Sequence, residues 1–139
     1  MELQGKAALV IGAGRGIGRA IARRLAAAGA RVGLVARTLP VLEELADEIR
    51  RLGGEAEPFP ADITVAAEVE AMAQAAAARF GAVDILVNNA FWGPPASLED
   101  TTETLWERTL NTTLKGPYLC TRAVFPPFVH DQDAVAQTD

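Results

Sequence analysis

Gly12-Ala13-Gly14-Arg15-Gly16-Ile17-Gly18 joins two stretches of opposite character. Before it, Ala7 to Ile11 is a short continuous apolar run, the pattern of a strand buried on both faces of a parallel sheet. After it, Ile17, Ala20, Ile21, Leu25 and Ala28 recur at helical spacing, with Arg19, Arg23 and Arg24 between them and Gly29 as a stop. Glycines between a strand and a helix permit a tight turn with positive φ. They also let backbone approach a pyrophosphate with no Cβ intervening, and let helix and sheet pack closely. The helix amino terminus then offers free N–H groups to the anion. The candidate phosphate cradle is therefore Gly12, Gly14, Arg15, Gly16, Ile17 and Gly18. The plainer alternative is a flexible turn with no ligand; the strand, loop and helix context, opening a βαβ unit, favours the nucleotide.

Outward from the loop, the chain alternates. Arg31 to Ala36 reads as a second strand, and Thr38 can cap a helix that tolerates Pro40 in its first turn and buries Leu42, Leu45, Ile49 and Leu52. A third strand is expected around Glu55 to Phe59. A third helix, from near Thr64, would bury Val65, Val69, Met72, Ala76 and Phe80. Val83 to Val87 reads as a fourth strand leading into Asn88-Asn89. Gly93-Pro94-Pro95 must be loop, and Asp100 with Glu103 resembles a capping box opening a fourth helix through Trp106, Leu110 and Leu114 towards Val124. Alternating strands and helices with short connections imply an α/β fold: a doubly wound, Rossmann-like parallel sheet, incomplete at about four strands, in the order 3-2-1-4. One domain over residues 1–129 is expected, with a frayed polar tail over 130–139.

With 139 residues, 50% of them hydrophobic and 22% charged, the chain has the balance of a globular domain with one core. A formal net charge of -5 excludes a general nucleic-acid or anionic-lipid surface, so any bound phosphate must be held by a local device. No apolar run approaches a membrane span or a signal segment. Cys120 is the single cysteine and reads as a small buried hydrophobe; a reducing cytoplasm is the expected location.

Where folds that prefer NAD place an acid against the ribose hydroxyls, at the end of the second strand, this chain has Ala36-Arg37. A guanidinium can pair bidentately with a ribose 2′-phosphate, and Arg15 could meet the same group. Solvated surface arginines are the alternative; the two locations favour NADP(H) over NAD(H).

Gly12-x-x-x-Gly16-x-Gly18, Ala61-Asp62-Ile63-Thr64, Asn88-Asn89-Ala90 and Leu114-Lys115-Gly116, in that order, resemble the short-chain dehydrogenase/reductase family over nearly the whole chain. The resemblance implies an NAD(P)-dependent oxidoreductase. By it, Asp62 accepts a hydrogen bond from the adenine amino group, Ile63 lines the adenine pocket, and Asn88 to Ala90 lie under the adenosine ribose. Departures from the family pattern are Ile11 for threonine, Phe91 for glycine, and Thr113 in the place of the active-site asparagine, with Asn111 two positions early. Phe91 brings a bulky ring to the expected cofactor groove.

The family's catalytic serine and Tyr-x-x-x-Lys lie beyond the fourth helix, and no match to them is present, so no catalytic residue is assigned. Tyr118 and Arg122 reproduce the spacing with arginine for lysine, but Tyr118 reads as a packing residue, as do Trp92 and Trp106. His130 with Asp131 and Asp133 does not make a metal site. The expected function is a truncated NADP(H)-binding module of an oxidoreductase family. The alternatives are a non-catalytic dinucleotide-binding or interaction module, and an inactive truncated product. A fourth strand at the sheet edge, with the fourth helix beside it, invites self-association.

Overall fold

The apolar run before the glycine loop becomes the central strand, Ala7–Ile11 (β1), and every one of its residues is buried. A computed structural model describes residues 1–125. In it β1 is followed by Gly16–Ala27 (α1), Arg31–Ala36 (β2), Leu39–Arg51 (α2), Glu55–Pro60 (β3), Ala66–Phe80 (α3) and Ile85–Asn88 (β4). A long helix then runs as Glu103–Leu110 (α4), a π turn over Asn111–Lys115, and Gly116–Val124 (α5). The strands form one parallel sheet in the order β3-β2-β1-β4, as the alternation implies. The expected tail over 130–139 lies outside the described residues.

Alternation along the strands divides the core in two. Ala8, Val10, Val32 and Leu34 face Ala22 and Ala26 of α1 and Leu42, Leu45 and Ile49 of α2. Ala7, Leu9, Ile11, Val35 and Phe59 face Val69, Met72, Ala76 and Phe80 of α3 and Cys120 of α5. Period-two side-chain direction on a doubly covered sheet produces this arrangement, and truncating any of these leucines to alanine would cost roughly 2–5 kcal/mol. In β2, a Cβ on Gly33 would run into Leu9 Cδ2 and lie 3.0 Å from the Phe59 ring, so the absent side chain is the space those two fill. Arg19 bridges Glu44 and Glu48, and Arg23 also meets Glu48, tying α1 to α2 with about 0–1 kcal/mol per pair.

Four expectations need correction. Leu52 is exposed because the helix ends at Arg51 and the chain turns at Gly53, whose φ is +85°. Val65 is exposed because it is the residue before α3 and not part of its buried face. Asp100 does not cap α4: it is engaged by the Ser97 hydroxyl at 2.8 Å, and the cap is Thr102, whose Oγ1 accepts from Leu105 N at 3.1 Å. Tyr118 and Trp106 are not packing residues among the described residues; they are 55% and 58% exposed, on a helix face that no other described element covers.

Candidate functional site

Doubly wound sheets bind ligands at the carboxyl ends of the strands where the order reverses, which here is between β1 and β4. The glycine loop leaves β1 at that point and Asn88-Asn89-Ala90 leaves β4 beside it. Gly12 has φ +78° and Gly16 φ +56°, a region that disfavours residues with a Cβ. Gly12 N and Ala13 N donate to Val35 O at 2.8 and 3.1 Å, stitching the start of the loop to β2. Gly14 packs its backbone near Val41 Cγ1 and Ala36 Cβ, which brings the loop against the end of β2.

Gly12 and Gly18 leave no room for side chains, whereas Gly16 stands in open space. A Cβ on Gly18 would collide with Gly12 O and lie 2.5 Å from Asn89 Nδ2, and one on Gly12 would lie 3.0 Å from Ala90 Cα. Asn89 Nδ2 donates to Gly12 O at 3.2 Å, so the end of β4 is latched to the loop. Asn88 is exposed and donates to Thr121 Oγ1 at 3.2 Å on α5. Helix α1 begins without a side-chain cap and without an acid in its first turn. Its first N–H groups have no intrahelical acceptors, so its dipole and donors face outward from the loop. Ile17, an exposed apolar residue at this helix start, is left for something else to cover.

An open cleft of about 390 Å³ lies at the carboxyl ends of β2 and β3, lined by Arg37, Pro60, Ala61, Asp62 and Glu68. Arg15 and Arg37 form no ion pair among the described residues. Asp62 Oδ1 accepts from Thr64 Oγ1 at 2.7 Å and from Thr64 N at 2.9 Å. Those bonds hold its carboxyl below the usual carboxylate range; partial burial opposes them and the charge of Arg37 assists. The neighbouring Ile63 is 7% exposed and turns into the core. A Cβ on Gly116 would lie 2.5 Å from Ile63 Cδ1, so the segments Asp62-Ile63 and Lys115-Gly116, far apart in sequence, meet here.

The sequence pattern did not single out Glu68, whose Oε2 accepts from Asp62 N at 2.6 Å. Its only sequence signal is an acid in the first turn of a helix. The π turn was also missed: Gly116 N–H donates to Asn111 O, five residues back. Pro117 follows at once, and with no N–H to return to the carbonyl of residue 113 it is accommodated by the widened turn. There Thr113 Oγ1 donates to Trp92 O at 3.2 Å, and Arg108 stacks over the Trp92 ring at 3.8 Å. Phe91 is exposed, with its ring folded towards Gly93. The Tyr118 hydroxyl accepts from Arg122 at 3.0 Å. Among the described residues no group of histidine, cysteine and acidic residues could hold a metal ion, and no helix is long and apolar enough to cross a membrane.

A family model described as short chain dehydrogenase matches residues 6–136. A short chain dehydrogenase of Pseudocercospora fijiensis is 40% identical over 130 residues, which are 92% of this chain and 42% of the relative. A metagenomic short-chain oxidoreductase, solved in complex with NADP, is 41% identical with a TM-score of 0.86, over 91% of this chain and 57% of that one. A 7α-hydroxysteroid dehydrogenase, solved with NADH and 7-oxo glycochenodeoxycholic acid, is 37% identical with a TM-score of 0.86, over 90% of this chain and 49% of that one. The chain thus spans about half the length of the proteins it matches.

Proposed function

Because the chain belongs to the short-chain dehydrogenase family, we propose that it forms the dinucleotide-holding part of an NAD(P)-dependent oxidoreductase and prefers NADP(H) to NAD(H). The observation that carries this reading is the tight glycine turn at the uncapped start of α1: Gly18 packs under Gly12 O and Asn89 where no Cβ fits, and Gly16 leaves open space beside the helix start. Such a site fits a pyrophosphate, which needs close backbone approach and unpaired N–H donors.

The amides of residues 14–18 hold the pyrophosphate, with Ile17 covering it. Arg37, joined by Arg15, pairs with the 2′-phosphate. Asp62 accepts from the adenine amino group, with backbone of Ala61 and Ile63 at the base, and Asn88 and Ala90 lie at the adenosine ribose. Ile63 lines the adenine pocket, and its side chain packs under Gly116. When bound, the cofactor supplies or accepts a hydride at the carbon of a carbonyl or alcohol. Hydride transfer to a carbonyl also needs a proton donor aimed at the developing alkoxide. Tyr118, the single tyrosine of this sequence, is exposed and bonded to Arg122, and the family resemblance puts the proton donor beyond this helix. These residues therefore bind and orient the dinucleotide without assigned catalytic groups of their own. Cys120 in a reducing cytoplasm, and self-association through β4 and the long helix, complete the proposal.

Fluorescence titration with NADPH and NADH tests it. The expected result is saturable binding that favours NADPH, and an Arg37→Ala variant that binds NADPH roughly tenfold or more weakly while its NADH affinity stays put, since a hydrogen-bonded charge pair contributes about 1.5–3 kcal/mol. Equal affinity for the two cofactors, unaltered by Arg37→Ala, would overturn the assignment of the 2′-phosphate to this arginine.

A further inference from the structure

We propose that Glu68 is a positioning residue for the adenosine end of the site, fixing the Asp62 backbone so that the Asp62 carboxylate is aimed at the exocyclic amino group of the base. The inference rests on the dinucleotide reading above and adds a residue that reading does not need. A glutamate at the third position of a helix ordinarily folds back to the N–H of the capping residue. In α3 that residue is Val65, whose N–H is already taken by Asp62 O at 3.1 Å. Glu68 instead reaches three residues further back, and its Oε2 accepts from Asp62 N at 2.6 Å, a short charge-assisted bond.

Among the described residues, Asp62 is consequently held at every polar atom but one. Glu68 holds its N–H, its carbonyl accepts from Val65 N, and its Oδ1 accepts twice from Thr64. The remaining oxygen, Oδ2, is the acceptor left for a ligand, and Asp62 and Glu68 line the same cleft as Arg37. The ladder to β2 ends where Ala61 N donates to Ala36 O at 3.0 Å, so the peptide joining Ala61 to Asp62 is the first without a strand partner. Without Glu68 its N–H loses its acceptor, the peptide can tilt against the remaining Thr64 and Val65 bonds, and the aim of the carboxylate loosens.

The test uses NADPH and its hypoxanthine analogue, in which the exocyclic amino donor is replaced by a carbonyl oxygen. The folded chain should favour NADPH by roughly tenfold or more, the usual discrimination for one hydrogen bond to a charged group. Glu68→Ala should shrink that preference to about twofold or less, mainly by weakening NADPH, while Glu68→Gln, which keeps an acceptor without the charge, should restore it. Amide exchange at Asp62 should be slow in the parent and Glu68→Gln proteins and fast in Glu68→Ala, a readout that does not depend on ligand. A Glu68→Ala protein that weakens both ligands by the same factor, or that keeps the preference, overturns the proposal while leaving dinucleotide binding intact. A parent chain that binds neither dinucleotide overturns the cofactor reading itself, and this inference with it.

Discussion

Gly16 and Gly18 are two residues apart and are required for different reasons. Gly16 stands in open space at φ +56°, so alanine there pays only for a left-handed backbone, about 1–2 kcal/mol. Gly18 has room for no side chain, because a Cβ would meet Gly12 O and break the Asn89 latch. Gly18→Ala should therefore cost about 3 kcal/mol, the upper end of overpacking, and abolish cofactor binding, whereas Gly16→Ala keeps a measurable affinity. Urea denaturation with parallel titrations checks this, and a Gly18→Ala protein as stable as its parent would contradict it. Acid sensitivity also belongs to single residues. Asp62 is held below the usual range first by its bonds from Thr64, and Asp84 first by its bond from Ala7 N. A carboxyl with a lowered folded pKa stabilises fully above its unfolded value, near ~3.9, and loses that contribution as pH falls through the folded value. The urea midpoint should hold steady from neutrality to about pH 5 and fall below about pH 4, with a shallower fall in Asp84→Asn.

At the scale of elements, β1, β2 and α2 were legible because burial on both faces and helical period leave strong marks, and α1 followed from the glycines on either side of it. The start of α4 was not. Asp100 and Glu103 have the spacing of a capping box, but Ser97 lies three residues before Asp100 and captures it, so the helix begins after Thr102 instead. Thr102→Ala should lower stability by about 1 kcal/mol, while Asp100→Ala should change it by less than about 0.5. Thermal denaturation of the two variants distinguishes the caps, and the reverse ranking would restore Asp100. The π turn left no periodic signature; its trace is Pro117, which any helix interior must accommodate. Glu68 escaped notice because its bond runs from the helix back to a loop residue six positions earlier, and an acid in a first turn has an ordinary reading through the helix dipole.

In the whole molecule, strand order and the place of the cleft followed from alternation and handedness, whereas what covers each helix face did not. A helical period tells which residues share a face and nothing about the neighbour. Trp106, Leu110, Leu114 and Tyr118 recur every four residues along α4, the π turn and α5, and Leu114 is 66% exposed. Beside them β4 pairs only with β1 among the described residues. A contiguous apolar stripe next to an open strand edge favours association. Sedimentation should show a concentration-dependent dimer or larger species that Leu114→Glu weakens, and an ideal monomer at all concentrations would contradict this. The central claim is narrower: backbone amides between β1 and α1 form an anion cradle for a dinucleotide. The most direct measurement is an amide-resolved NMR titration of the chain with NADPH. Saturable shifts concentrated at residues 12–18, with smaller ones at Arg37, Asp62 and Asn89, are the predicted result; a folded chain whose loop amides do not move at millimolar NADPH would contradict it.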